Sequence, residues 1–324
     1  MSKRFLLALT VLALTTVLAA QEPKKENVTV PEAETNAAKA VQAAADPAAK
    51  LTAAEAFVKK YPKSVVRKQV ADYLVEQLAV IKDPKQKLAL SERYEAIFNS
   101  DAETNAIKPV QFDAYIESQQ FDDAFATGER ILAQHPDDVR VLSNLAITAT
   151  EQAKKGNATF ISQGSLHGGK AIELIEADKK PADMDAATWS TYKGLLPKLY
   201  QEMAILALLQ RNMPDAQTKL EKAATLNPTD PFNFMVLANI TNDQYQEVAK
   251  TYQAKPTDEL KAKANQLMDQ MLENYGKAAA MSEGKPEYQP LHDQVVKDMT
   301  PYYKYRHNNS TDGLQEFINK YKKP

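Results

Sequence analysis

Apolar residues recur along this chain in steps of three and four, the spacing that gathers them on one face of a helix. The pattern is cleanest between Pro197 and Pro231, where two amphipathic runs are joined by a turn at Arg211–Pro214 and closed by Asn227–Pro228. Upstream, Leu51, Ala54, Phe57, Val58 and Tyr61 form a stripe that Pro62 ends. Pro47 precedes it at a first-turn position, where a missing N–H costs nothing. Val66, Val70, Tyr73, Leu74 and Leu78 continue the pattern, and Leu88, Leu90, Tyr94, Ile97 and Phe98 follow the break at Asp83-Pro84. The spacing predicts helices over Thr104–Glu117, Phe121–Gln134 and Val139–Lys154, then long ones over Phe232–Tyr252 and Thr257–Met281. Gly156 to Gly169 reads as the one long irregular stretch. The prediction is an all-α stack of helical hairpins.

Counting back from each break between hairpins tests for a repeat. Twelve, eight and five residues before Pro136 stand Ala124, Gly128 and Ile131; before Pro228 stand Ala216, Leu220 and Ala223. The same offsets reach Lys50, Ala54 and Phe57 before Pro62, and Ala89, Arg93 and Ala96 before Asp101. On the helix that opens each hairpin, Leu142, Leu145, Ala146 and Ala149 match Tyr200, Met203, Ala204 and Ala207, then Phe234, Leu237, Ala238 and Thr241. This order of bulky, small and Pro positions resembles the tetratricopeptide repeat (TPR). Ala146, Ala204 and Ala238 stand where that family usually has Gly, and Ala still permits close packing. The resemblance implies a right-handed α-solenoid. The expected organisation is a leader over 1–20, a flexible lead-in over 21–31 and a TPR-like array over 32–324. Its best repeats are 104–138, 139–181 with an inserted loop, 197–230 and 231–283 with an insertion, and capping helices fill 286–324.

Composition agrees with helices: Ala, Leu, Lys, Gln and Glu dominate, and Gly is scarce at 9 of 324 residues. The formal net charge of −2 gives no basic field for nucleic acid. Cysteine is absent, which removes disulfides, thiolate metal sites and a lipobox. Lys3 and Arg4, an apolar run from Phe5 and small residues at Val17–Ala20 have the three parts of a secretory signal. The expected location is therefore periplasmic or secreted, with no transmembrane span in the mature chain.

Candidate chemistry is thin. Gly164-Ser-Leu-His-Gly-Gly169-Lys170 has the spacing of a phosphate loop, but Ala171 stands where Ser or Thr should hold magnesium and no strand precedes it. It reads as an enlarged turn. His135, His167, His292 and His307 are scattered without zinc-ligand spacing. Asn308 to Gly313 faintly suggests a calcium loop, but its twelfth position is Asn319 and a capping turn is the better account. No catalytic residue, cofactor or metal is expected, and no lysozyme-like segment supports a cell-wall-active enzyme.

The resemblance implies a protein or peptide partner held on a concave face lined by the first helix of each hairpin. One turn from the packing positions, that face would include Arg140, Asn144, Lys198, Gln201, Met235, Asn239 and Asn242. In the family, Lys, Arg and Asn at such places often clamp a terminal carboxylate; Arg140, Asn144 and Lys198 fit that pattern, and Met235 suggests an adjoining apolar pocket. The expected function is a non-enzymatic binding or scaffolding module of the cell envelope. A structural subunit docking through its convex face or caps is the alternative. Tyr302, Tyr303, Tyr305 and Tyr321 leave a homo-oligomer contact open.

Overall fold

The computed structural model describes residues 30–182 and 184–322. The leader and the lead-in as far as residue 29 lie outside the described residues. Among those described there are fifteen α-helices, one 3-10 turn and no strand. Where a single array was expected from residue 32, the described residues form two compact units, divided between Leu74 and Val75 inside α3 (Arg67–Ala79).

In the first unit, α1 (Glu32–Ala43) packs on α2 (Pro47–Lys60). Asp46 caps α2 by accepting the Ala49 N–H at 2.8 Å, and Pro47 sits in the first turn. Leu51, Ala54 and Phe57 are buried. Lys50, at a repeat position where an apolar residue would be ordinary, is buried too. Its ammonium donates to the Gln42 carbonyl at 2.7 Å and lies 5.3 Å from the Tyr73 ring centroid, so a charge is held without a carboxylate.

The second unit is a run of hairpins: α4 (Pro84–Ile97), then α5 (Asp101–Glu117) with α6 (Phe121–Gln134), and α7 (Val139–Lys154) with α8 (Ile161–Glu176). A short α9 (Ala186–Gly194) follows, then α10 (Leu196–Leu209) with α11 (Met213–Leu226). The long pair α12 (Pro231–Ala254) and α13 (Asp258–Ser282) comes next, closed by α14 (Gln289–Arg306) and α15 (Leu314–Asn319). Each helix packs on the next, and α10 lies against both α7 and α8 of the preceding hairpin. That is the stacking of an α-solenoid. The repeat positions form its spine: Leu142, Leu145, Ala146, Ala149, Met203, Ala204, Ala207, Leu237 and Ala238 are all buried, as are Ala216, Leu220 and Ala223 opposite them. Among the described residues no helix is long and apolar enough to cross a membrane.

Three expectations are corrected. The stretch 156–169 is not an inserted loop: only 155–160 turn, and α8 runs from Ile161 through the whole glycine motif. Gly164 and Gly168 are where α8 touches its neighbours. A Cβ on Gly164 would strike the Ala149 Cβ and come within 3.2 Å of Leu206; one on Gly168 would strike the Met203 sulfur and stand 3.0 Å from Ala146. Small side chains permit that approach.

The second correction concerns register. Asp101 does not precede a helix but begins α5, capped by Ser100 in a reciprocal box with Glu103. Ala89, Arg93 and Ala96 are consequently exposed, and the buried positions of α4 are Lys87, Leu88, Leu90, Ser91, Tyr94 and Ile97. The third is the insertion expected within 231–283: it is extra helical length, α12 running unbroken to Ala254 as its apolar spacing predicted and α13 on to Ser282. At the C-terminal end, α15 is capped by Gly313 in a left-handed conformation (φ 79°) rather than by a polar side chain.

Candidate functional site

The seven residues predicted to face a partner lie on the first helices α7, α10 and α12, and their environments differ. Arg140 is half-buried. Its guanidinium pairs with Asp113 of α5 at 2.7 Å, lies 4.0 Å from Asp138, and sits 5.7 Å from the Phe112 ring centroid. Burial holds the Asp113 carboxyl above the usual carboxylate range, although Arg140 and Lys87 pull it down. Asn144 is half-buried, with no side-chain hydrogen bond among the described residues.

Gln201 is buried, and its amide donates to Asp230 at 3.0 Å and Asn233 at 2.9 Å, tying α10 to the start of α12. Met235 is half-buried between two apolar clusters, one shared with α10 and α11 and the other with α13 and α14. Asn239 is exposed and accepts a hydrogen bond from the Tyr275 hydroxyl at 2.8 Å. Asn242 accepts from the Tyr302 hydroxyl at 2.7 Å. Gln201, Asn242 and the side-chain carbonyl of Asn239 therefore hold helices together, while the Asn239 amide N–H groups have no bond among the described residues. Asn144, Asn239 and the outer part of Lys198 are the members with capacity to spare.

Lys198 carries a finding the spacing did not foretell. It pairs with Glu202 one turn along α10, and Lys154 of α7 reaches the same carboxylate at 3.1 Å. The Glu202 side chain is only 1% exposed, while the lysines are 49% and 43% exposed. The Lys198 charge, expected to meet a ligand's carboxylate, is thus met by a carboxylate of the chain itself. Replacing both lysines by Met should destabilise the protein by about 1–3 kcal/mol, the cost of a buried polar group left unsatisfied. The figure for a wholly buried pair does not apply, because the ammonium ends are half in water. A urea midpoint measures this, and adding Glu202→Gln should recover most of the loss. A double-lysine variant as stable as the parent would show that Glu202 needs neither partner.

Sequence reasoning missed Asp113, Glu202 and all of α9. Asp185 accepts the N–H groups of Ala187 and Thr188, both at 2.9 Å, as an N-cap. Trp189 is buried in the largest apolar cluster, and its indole N–H donates to Asp178 at 2.7 Å. Lys193 also reaches Asp178, at 3.2 Å, and these bonds hold the Asp178 carboxyl below its ordinary range. The cap residue Asp185 ahead of Trp189 and Tyr192 was the available signal.

No protein-family model matches the chain, and no curated protein matches it. Solved structures do resemble it. A Pseudomonas aeruginosa protein described as pilF is 14% identical, covering 78% of this chain and 99% of its own, with a TM-score of 0.37. TTC0263 of Thermus thermophilus, described as a thermophilic TPR protein, is 15% identical over 71% of this chain and 98% of its own, with a TM-score of 0.34. A tetratricopeptide repeat protein of Parabacteroides merdae is 12% identical over 82% of this chain and 98% of its own, with a TM-score of 0.37. Two of these three are described as TPR proteins. These are likenesses of fold, at scores too low to carry more.

Proposed function

We propose that the chain is a non-enzymatic scaffold of the bacterial cell envelope, holding a protein or peptide along the first helices of its hairpins. The observation that carries this reading is the packing of α7, α8 and α10 about one apolar spine, which leaves polar side chains of α7, α10 and α12 on positions the spine does not use. Asn144 and Asn239 supply amide groups that suit a polypeptide backbone, and half-buried Met235 supplies apolar surface one turn from Asn239. The leader motif over 1–20 supports export, and a periplasmic or secreted location is part of the proposal. Replacing Lys198 and Asn239 together with Ala should weaken capture of the partner in a pull-down, with the melting temperature followed alongside. Unchanged yield from a folded variant would remove this face from consideration.

A second reading, a structural subunit docking through second helices or caps, is favoured by Leu166 of α8 and Tyr305 of α14. They are 70% and 73% exposed. A stable oligomer in size exclusion, dispersed by Leu166→Glu or Tyr305→Glu, would support it.

A further inference from the structure

The short helix α9 has no counterpart in the other hairpins, and it closes a recess of about 580 Å³ against α5, α6 and α7. That volume lies within the range of about 300–1,000 Å³ typical of ligand pockets. Its apolar wall comprises Ala106 and Pro109 of α5, Ile131 of α6, Pro181 and Met184 of the turn before α9, and the ring of Tyr192. Lys180 fixes the turn by donating to the Pro181 carbonyl at 3.0 Å and to that of Met184. We infer that this recess binds a neutral, extended peptide segment presenting a proline or aliphatic side chain.

Charge decides against an ionic ligand. Arg140 is engaged by Asp113, and Lys108 by Glu95 at 2.6 Å. Asp138 and Asp185 are occupied capping α7 and α9. Among the described lining residues this leaves Arg130, Asp137 and the imidazole of His135, all exposed. A phosphate or carboxylate would find a single exposed Arg130 here, in contrast to the Arg clusters that recognise such groups.

The hydrogen-bonding groups point to a peptide backbone. Pro109 lies inside α5 and has no N–H, so the Asn105 carbonyl loses its helical donor, and both residues line the recess. The Tyr192 hydroxyl is half-buried without a hydrogen bond among the described residues, and burial raises its pKa, so it stays a donor. The Tyr192 hydroxyl can donate to a peptide C=O, and the Asn105 carbonyl, lacking its i+4 donor, can accept from a peptide N–H.

The inference rests on the reading of the chain as a polypeptide binder; of the face from α7 to α12 the recess shares only Arg140. It is tested on the full chain with ¹³C-methyl methionine, using the Met184 methyl resonance as the reporter. The probes are four sets of acetylated, amidated hexapeptides: neutral Pro- and Leu-containing, the same with Glu, the same with Lys, and the same with phosphoserine. The neutral set should shift Met184. Ala106→Phe, which fills the recess, should weaken binding tenfold or more. Tyr192→Phe should weaken it about fivefold, the worth of one net hydrogen bond; being nearly isosteric, it also serves if the larger replacement fails to fold. The Lys198 and Asn239 variant should bind the neutral set as the parent does, whatever happens to its partner capture. Preference for the acidic, basic or phosphorylated sets, or a Met184 signal unmoved by all four, would overturn the assignment.

Discussion

Gly164→Ala is expected to destabilise the protein by about 2–3 kcal/mol, at the upper end of the usual range for overpacking, whereas Gly168→Ala should be nearly neutral. The two glycines lie one turn apart on α8 and differ in what they touch. A methyl group at Gly164 meets the Cβ of Ala149, which has no rotamer to escape into, so α7 and α8 must separate. At Gly168 the main obstacle is the sulfur and terminal methyl of Met203, the far end of a flexible side chain. The Ala146 Cβ, at 3.0 Å, needs to give by only a few tenths of an ångström. The gain in helix propensity from Gly to Ala, about 1 kcal/mol, offsets that smaller strain. Urea denaturation of both variants checks the order. Equal losses, or a larger loss at Gly168, would mean that α8 does not approach α7 as described.

Trp189→Ala should cost about 3–5 kcal/mol, as truncation of a buried large aromatic generally does. Trp189 is the chain's single tryptophan, 4% exposed, and it anchors α9 both by burial and through the bond to Asp178. Asp178 lies at the surface and can be rehydrated, so most of the loss belongs to the cavity. Trp189→Phe should therefore retain most of the stability. Hydrogen exchange over Ala186–Gly194 should accelerate in the Ala variant even where the rest of the chain stays protected, and neutral hexapeptides should lose their effect on Met184. A Trp189→Ala protein with parental stability and exchange would contradict the anchoring role.

These two predictions fall on the part of the fold that was hardest to read in the sequence. The hairpin of α10 and α11 was legible because Ala204, Ala216, Leu220 and Ala223 bury at helical spacing and Pro197, Pro214 and Pro228 mark its ends. Helix α8 keeps the same steps of four and three at Gly164, Gly168 and Ala171, but glycine gives no hydrophobic signal and weakens helix propensity. Close approach demands the very residue that hides the helix. At α5 the signal was present in Ser100 and Glu103, a capping-box spacing, and the register counted from Asp101 passed over it.

The candidate face was legible only in outline. Spacing puts Gln201 and Asn239 one turn from the spine, yet Gln201 is buried against Asp230 and Asn233, whereas Asn239 is exposed. That difference depends on where α12 crosses α10, which periodicity along one chain does not specify. The same holds for Glu202, whose second cation comes from Lys154, and for Arg140, whose partner Asp113 stands on α5.

Site-specific photo-crosslinking in the cells that make the protein tests the central claim most directly. A photoreactive residue would be placed in turn at Asn144 and Asn239 on the first helices, and at Leu166 and Lys222 on the second helices α8 and α11. The account predicts adducts with another polypeptide from Asn144 and Asn239, and none from Lys222 or Leu166. Adducts confined to the second-helix positions would place the partner on the opposite side of each hairpin and contradict the account.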